Sequence, residues 1–311
     1  MKYRTLGSTG RVVSVVGVGT WQFGGEWGKE FQQSEVDAMF DKARECGINL
    51  IDTAECYGDH TSERFVGAAV RRDRGRWIIA TKFGHKFHGP FNRSEPRTPD
   101  DIRKQLDDSL AALKTDYVDL YQYHSWGDDK FFNEDVMATV HKLKEQGKVK
   151  HIGNSVGANT NVPQVEASRR MGVEAIQIIY NRLDRGPENT TFPHCISQNL
   201  GVLARVPLAS GYLSGKYKPG HQFDNSEVRG KWHKAEDRDA KLREVEKIKA
   251  NEVPAGVDMA SWALAWCLKH PAVTTVIPGC KNVAQVASNA AAADLDIVSD
   301  DHPQAAAAPQ A

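Results

Sequence analysis

Four side chains in the first half of the chain have the types needed to move a proton: Asp52, Tyr57, Lys82 and His124. A phenol ordinarily titrates near ~10, so at neutral pH it holds its proton too tightly to be a good acid. A nearby ammonium favours the phenolate, each unit of pKa being worth about 1.4 kcal/mol, and Lys82 is the candidate to supply it. A buried lysine would in turn lose its own proton without an acid partner, a role open to Asp52. A neutral imidazole at His124 donates a hydrogen bond to a carbonyl oxygen and fixes its direction. Together the four make a site for protonating an oxyanion. Singly, each has a commoner reading: a turn aspartate, a packing tyrosine, a solvated lysine, a satisfied core histidine. Their recurrence at the ends of successive apolar runs weighs against those readings.

Those runs indicate the architecture. From residue 13 onward, short β-branched segments alternate with longer segments of helical period, the rhythm of βα units and a parallel sheet. Eight strands are predicted, at 13–19, 48–52, 77–82, 117–123, 149–153, 175–180, 202–206 and 273–277. The predicted fold is α/β, a (β/α)8 TIM barrel with long loops at its catalytic face, where the carboxyl ends of the strands meet. Reading those ends adds Gly19-Thr20-Trp21, Asn154-Ser155, Gln177 with Tyr180-Asn181, Pro207-Leu208 and Pro278-Gly279.

The helices carry their own punctuation. Ser34-Glu35-Val36-Asp37 reads as a capping-box start, Met39, Phe40 and Ala43 as a stripe, and Gly47 as a left-handed stop. Thr98-Pro99-Asp100-Asp101 sets a cap, a proline at the first helical position and acid on the dipole, ahead of Ile102, Leu106, Leu110 and Leu113. Gly147, Gly172 and Gly201 are expected to close three more helices. Residues 210–236, rich in Gly, Lys, Asp and aromatics, are too long for a simple connector and read as a functional loop. Residues 1–300 are expected to form one barrel domain, and 301–311, made largely of Ala, Pro and Gln, to fray as a disordered tail.

Composition excludes several classes of function. The 311 residues suit one α/β barrel, and 40% apolar with 26% charged residues is an ordinary globular balance. Lys plus Arg equals Asp plus Glu at 40 each, so no net field gathers nucleic acid or an anionic membrane. No apolar run approaches the ~20 residues of a membrane helix, and no leader-like segment follows Met1, so a cytoplasmic location is expected. Cys46, Cys56, Cys195, Cys267 and Cys280 are scattered, odd in number and free of any CxxC pair, which argues against disulfides and zinc. His85-Lys86-Phe87-His88 lacks a third ligand, and no metal is expected. Oligomeric state stays open.

The segment Gly47-Ile48-Asn49-Leu50-Ile51-Asp52-Thr53-Ala54, then Tyr57-Gly58, Ser62-Glu63 and Val66-Gly67, resembles the first signature of the aldo-keto reductase family. Ala80-Thr81-Lys82 and Asp119-Leu120-Tyr121-Gln122-Tyr123-His124 extend the likeness, which runs from an amino-terminal β-hairpin begun by Tyr3-Arg4-Thr5-Leu6-Gly7 to about residue 300. The resemblance implies hydride transfer between a nicotinamide and a small-molecule carbonyl substrate, with Tyr57 as general acid in reduction, assisted by Asp52, Lys82 and His124. It also implies a cofactor site without a Rossmann fingerprint, drawing on Gly19, Thr20, Trp21, Ser155 and Gln177. Arg205, Pro207, Leu208 and Ser210 would follow from the seventh strand, where the family often places an aromatic. In Ile152-Gly153-Asn154-Ser155-Val156 the family's asparagine is replaced by Val156, and Asn154 is its candidate substitute. Gly279, Lys281, Gln285 and Asn289 lie where the family holds the adenosine end. Lys281 points to NADP(H), while the uncharged Gln285 and Ser288 keep NAD(H) open. Trp21, Trp27 and Trp126 are candidate substrate walls.

Two rival readings remain at this level. Gly153-Asn154-Ser155-Val156-Gly157 is a GxSxG string after a strand, which in a serine hydrolase would make Ser155 the nucleophile, although no HGGG-like element accompanies it. A non-catalytic, nicotinamide-binding regulatory subunit is the other.

Overall fold

The computed structural model describes residues 1–159 and 161–309. An antiparallel pair, β1 (Tyr3–Thr5) and β2 (Val12–Ser14), comes first. Eight parallel strands follow in chain order: β3 (Val18–Gly19), β4 (Leu50–Asp52), β5 (Ile78–Phe83), β6 (Val118–His124), β7 (Val149–Ser155), β8 (Ala175–Ile179), β9 (Gly201–Arg205) and β10 (Thr275–Val276). The first and last meet: Gly17 N donates to Val276 O at 2.8 Å, Val276 N to Val15 O at 2.9 Å and Gly19 N to Pro278 O at 3.0 Å. The sheet thereby closes on itself as a (β/α)8 TIM barrel, the predicted fold. The predicted 13–19 strand is in fact two pieces, because residues 13 and 14 belong to the hairpin and only Val18–Gly19 joins the barrel.

Among the described residues, the helices around the strands include α1 (Gln33–Glu45), α2 (Thr61–Val70), α3 (Pro99–Leu113), α4 (Glu134–Glu145), α5 (Val162–Glu166), α6 (Phe192–Ser197), α7 (Ala235–Asn251), α8 (Met259–Leu268) and α9 (Val283–Ala291). Helix α3 begins as its residues require. Thr98 Oγ1 accepts from Asp101 N at 3.2 Å, the Asp101 carboxylate accepts from Thr98 N at 3.1 Å, and Ile102, Leu106, Leu110 and Leu113 are buried. Helix α1 starts earlier than the sequence suggests. Glu35 closes its capping box on Gln32, whose N–H it accepts at 2.9 Å, and Ser34 lies inside the first turn.

Gly47, Gly147 and Gly172 take the left-handed backbone expected at helix ends, with φ of 77°, 79° and 68°. Gly201 does not. Asn199 adopts that conformation with φ of 52°, and Gly201 opens β9, where a Cβ would lie 2.5 Å from Leu6 Cδ1. Close packing, not a turn, demands glycine there.

Strand alternation divides the core into two layers. Inside the barrel, Leu50, Ile78, Ala80, Leu120, Ala175, Leu203 and Ile277 cluster with Leu6 and Val13 from the hairpin, which plug the floor. Outside, Ile51, Ile79, Tyr121, Ile152, Ile176 and Val202 face the helices. The catalytic face is thus left to the polar residues that continue each inward row.

Two expectations change at the chain's periphery. Within the tail predicted to be disordered, β11 (Ala305–Ala306) pairs antiparallel with β1, and Thr274 Oγ1 donates to Gln304 Oε1 at 2.6 Å, tying the segment to the barrel floor. Residues 310 and 311 lie outside the described residues. The predicted 210–236 loop carries a turn of 3₁₀ helix at Ala209–Ser214 and a short helix at Val228–Trp232. Among the described residues, no helix is long and apolar enough to cross a membrane.

Leu6 is 1% exposed and reaches the barrel interior from outside the eight-strand sheet. Leu6→Ala is expected to lower unfolding stability by about 3 kcal/mol through the cavity it leaves, measured by chemical denaturation.

Candidate active site

Three of the four candidate side chains sit where an inward row of a strand passes the apolar core. On β4, Leu50 points into the barrel and Asp52 is the next inward residue; on β5, Ile78 and Ala80 precede Lys82; on β6, Leu120 precedes Gln122 and His124. The register pairs Asp52 with Ala80 and Lys82 with Gln122. Lys82 Nζ donates to Asp52 Oδ2 at 2.7 Å, to Thr53 O at 2.8 Å and to Tyr57 Oη at 3.1 Å. All three ammonium donors are used. The other carboxylate oxygen of Asp52 accepts from Gln177 Nε2 at 2.6 Å and from Gln122 Nε2 at 3.3 Å.

Tyr57 stands on the loop between β4 and α2, and its position comes from backbone packing. The 3₁₀ turn Trp21–Gly24 presses against it so closely that a Cβ on Gly24 would lie 2.6 Å from the Tyr57 carbonyl carbon. The Trp21 ring stacks on the Tyr57 ring with centroids 6.0 Å apart and planes 22° apart. Ser62 Oγ bonds Thr20 Oγ1 at 2.7 Å and Thr53 Oγ1 at 3.0 Å, tying the turn, the end of β4 and the start of α2 together.

Burial dominates the electrostatics. It pushes the Tyr57 phenol up to about 12, although the Lys82 ammonium pulls the other way. The expected net lowering by Lys82 is therefore outweighed in this state, and Tyr57 keeps its proton throughout the neutral range. Burial also works against charge on Lys82, but Asp52 and then Tyr57 more than offset it and hold the ammonium above its ordinary value. Burial, with His85 and Lys82 close by, drives His124 well below its ordinary value, so its imidazole is neutral. Cys56, whose Sγ lies 3.7 Å from His124 Nδ1, is raised to about 12 by burial and stays a thiol.

Tyr57 and His124 open onto a cavity of about 440 Å³ at the carboxyl ends of the strands. Near them it is lined by Gly19, Thr20, Trp21, Trp27, Ser155 and Gln177. Farther on come Arg205, Pro207, Leu208 and Ser210, and then Gly279, Lys281, Gln285 and Asn289. Lys82 lies beneath this surface, 1% exposed.

Two predicted residues are elsewhere. Asn154 falls on the outward row of β7, where its amide donates to Gln164 Oε1 on α5 at 3.0 Å, because alternation sends only its neighbours Gly153 and Ser155 inward. Trp126, 2% exposed, packs on Phe83 and Tyr123 with its Nε1 bonded to Gly84 O at 3.0 Å, and is a core side chain. Ser155 lies within β7 and donates to Gln177 Oε1 at 3.3 Å, with no histidine hydrogen-bonded to its side chain among the described residues, so the GxSxG string is not a strand-to-helix elbow.

Sequence reasoning missed several cavity residues. His85 packs edge-on to His124 at 4.6 Å, while His88 turns to Ser94, so the His85-Lys86-Phe87-His88 pair separates. Arg93 lines the cavity and is paired with Glu26, which also accepts from Trp21 Nε1 at 2.7 Å. Trp232 covers Trp21 at 6.0 Å, carried by a strap anchored at Arg229, whose guanidinium grips Glu227 at 2.8 Å and stacks 4.2 Å from Phe223. None of these follows from periodicity; only the bias toward aromatics and charge in 210–236 hinted at the strap.

Beside the Tyr57 loop, Glu55 is buried, and burial with Glu63 and Asp59 nearby raises its carboxyl from about 4.5 to about 7, against a lowering by His60. The folded state therefore holds a proton on Glu55 that the unfolded chain releases. That contribution is fully present below about 4.5 and is lost as pH rises through about 7. Glu55→Gln is expected to raise unfolding stability at pH ~8 by on the order of 2 kcal/mol relative to wild type and much less at pH ~4.5, read from denaturation midpoints.

Comparison with known proteins gives a consistent set of matches. The model of the Aldo/keto reductase family matches residues 15–308. The NADH-specific methylglyoxal reductase of Escherichia coli (strain K12) is 29% identical over 313 residues, covering 96% of this chain and 95% of that protein. Aldo-keto reductase YhdN of Bacillus subtilis (strain 168) is 28% identical, with 92% and 87% covered. Among solved structures, the holo form of aldo-keto reductase AKR11C1 from Bacillus halodurans superposes with a TM-score of 0.80 at 28% identity, covering 98% of this chain and 94% of that one. The glycerol dehydrogenase AKR11B4 from Gluconobacter oxydans shares the fold, with a TM-score of 0.81, 24% identity and coverage of 99% and 98%.

Proposed function

The chain belongs to the aldo/keto reductase family and is an oxidoreductase, and from that premise we propose that it reduces small aldehydes or ketones to alcohols with NADP(H), Tyr57 acting as the proton donor. The observation that carries this reading is the hydrogen-bonded chain Asp52–Lys82–Tyr57, with links of 2.7 and 3.1 Å, ending at the cavity beside a neutral His124. When bound, the nicotinamide supplies the hydride to the carbonyl carbon.

The protein's own residues do the rest. Tyr57 Oη, protonated at neutral pH, gives its proton to the carbonyl oxygen as negative charge develops there. Lys82 then faces the phenolate at hydrogen-bond distance and stabilises it, while Asp52 keeps the buried Lys82 charged. His124 donates a hydrogen bond that orients the carbonyl. Trp21 and Trp232 close the site from the solvent side.

The cavity suits a dinucleotide. It is elongated from Tyr57 to Asn289, and three of its buried polar atoms, Gln22 Oε1, Trp27 Nε1 and Arg205 Nε, have no hydrogen-bond partner among the described residues. Ser155, Gln177 and Arg205 would hold the nicotinamide half; Gly279, Gln285 and Asn289 would hold the adenosine half. Lys281, whose Nζ also donates to Trp27 O at 2.7 Å, and Lys216 line the cavity as cations that support the phosphorylated cofactor. NADH is the second reading, favoured by the Asp258 carboxylate lining the same end, which suits a ribose diol better than a phosphate, and by the NADH specificity of the Escherichia coli relative. A cytoplasmic setting is part of the proposal, supported by cysteines that are all unpaired among the described residues.

Tyr57→Phe is expected to lower kcat for aldehyde reduction by about three orders of magnitude while leaving the Kd for reduced nicotinamide within about threefold, measured by cofactor absorbance and fluorescence. Loss of both together would point to a structural role for Tyr57. In the same titrations wild type should bind NADPH more tightly than NADH, and Lys281→Met should erase that difference; tighter binding of NADH would select the second reading.

A further inference from the structure

The ring of His124 is held at one nitrogen. Cys56 Sγ lies 3.7 Å from His124 Nδ1, and among the described residues the ring makes no other hydrogen bond. Both residues line the cavity, Cys56 with 2% of its surface exposed. Two rings packed edge-on confine the imidazole further: Tyr57 at 6.2 Å and 83°, and His85 at 4.6 Å and 82°. The loop that carries the sulfur is pinned as well. Gly58 N donates to Cys56 O at 3.1 Å, an Arg93 guanidinium nitrogen reaches the same oxygen at 3.5 Å, and Arg93 is itself paired with the buried Glu26.

A neutral imidazole carries its single proton on Nδ1 or on Nε2, and the partner of one nitrogen decides which. We propose that Cys56 is a positioning residue: its S–H donates to His124 Nδ1 and thereby places the ring proton on Nε2, the nitrogen left for the substrate oxygen. Both ends of that hydrogen bond are in the required state. Burial raises the thiol to about 12, so the sulfur keeps its proton throughout the neutral range. Burial, with His85, Lys82, Arg205 and Arg93 nearby, holds the ring neutral, so one of its nitrogens accepts. The direction follows from relative strengths: a thiol sulfur is a weak acceptor, whereas the bare nitrogen of a neutral imidazole accepts well, so S–H to N is favoured over N–H to S. The opposite tautomer would spend the ring's one N–H on sulfur and turn a lone pair toward the oxygen on which negative charge develops. An alkyl side chain at position 56 would fill the same space without making that choice.

The inference rests on the reductase reading above, and one of its two readouts needs no turnover. Nitrogen NMR of isotope-labelled histidine, with the His124 signals assigned by their loss in His124→Asn, should show an accepting Nδ1 and a protonated Nε2 in wild type. Cys56→Ala and Cys56→Val should each shift that pattern toward a mixture of tautomers and lower the single-turnover rate of small-aldehyde reduction by about tenfold, with the Kd for reduced nicotinamide within about threefold. Cys56→Ser restores an O–H donor and should recover most of both effects. Two alkyl variants of different bulk keep the test decisive if one folds poorly. A wild-type ring protonated on Nδ1, ring signals or rates unchanged in both alkyl variants, or a rate lost with valine and kept with alanine would overturn the assignment, the last by marking the sulfur as a space-filler. Failure of wild type to reduce any aldehyde would instead strike the reductase reading, while the ring signals would still decide the tautomer.

Discussion

An ammonium with no contact to water persists only where its charge and its three donors are all met, and the site is organised around that demand. Lys82 has a side-chain exposure of 0% and spends its donors on Asp52, Thr53 O and Tyr57. Asp52 takes one of those donors on Oδ2, and its other oxygen accepts from Gln122 and Gln177, which reach it from two further strands. Such a pair does not earn stability by itself, since desolvation consumes much of the Coulomb gain. In the proposed reaction it gives the conjugate base of Tyr57 a countercharge already in place. Burial raises the Tyr57 phenol to about 12, and the ammonium beside it matters most once the proton has left.

Barrel geometry makes that arrangement possible. Side chains of one inward row on β4, β5 and β6 rise from a dry floor of Leu50, Ile78 and Leu120 to Asp52, Lys82 and His124 near the rim. The floor is sealed by Leu6 and Val13 of the hairpin, and the carboxyl-terminal strand β11 holds the hairpin's outer edge. Glycine at 201 lets the plug approach, and glycine at 24 lets the Trp21 turn approach Tyr57. Both fix the height of a side chain relative to the barrel axis, one at each end.

Beyond the rim, placement depends on loops tied to one another. Glu26 joins Trp21, Phe91 and Arg93, and Val228 N donates to Glu26 O at 3.2 Å, so the strap after β9 meets the loop after β3 here as well as at the Trp21–Trp232 contact. This one residue thus ties together the loops that wall the Tyr57 end of the cavity.

By itself, the sequence indicated the eight barrel strands, the barrel class and, as candidates, the four residues Asp52, Tyr57, Lys82 and His124, because local periodicity and a long ordered motif both survive in one dimension. It also indicated most of the cavity wall from Gly19 to Asn289. Tertiary structure alone decided the face on which a side chain near a strand end emerges: Asn154 was read as a cofactor contact yet alternation turns it to α5, and Trp126, read as a substrate wall, is held in the core by Gly84 O. Arg93 and Glu26 left no mark on the pattern, and His85 drew notice only as a metal ligand without a third partner, since a loop has no period and the Arg93–Glu26 and His85–His124 contacts span long stretches of sequence. Even the pKa of Tyr57 was decided in three dimensions: the charge that lowers it could be named from the sequence, but the burial that outweighs that charge exists only once the chain has closed around the phenol.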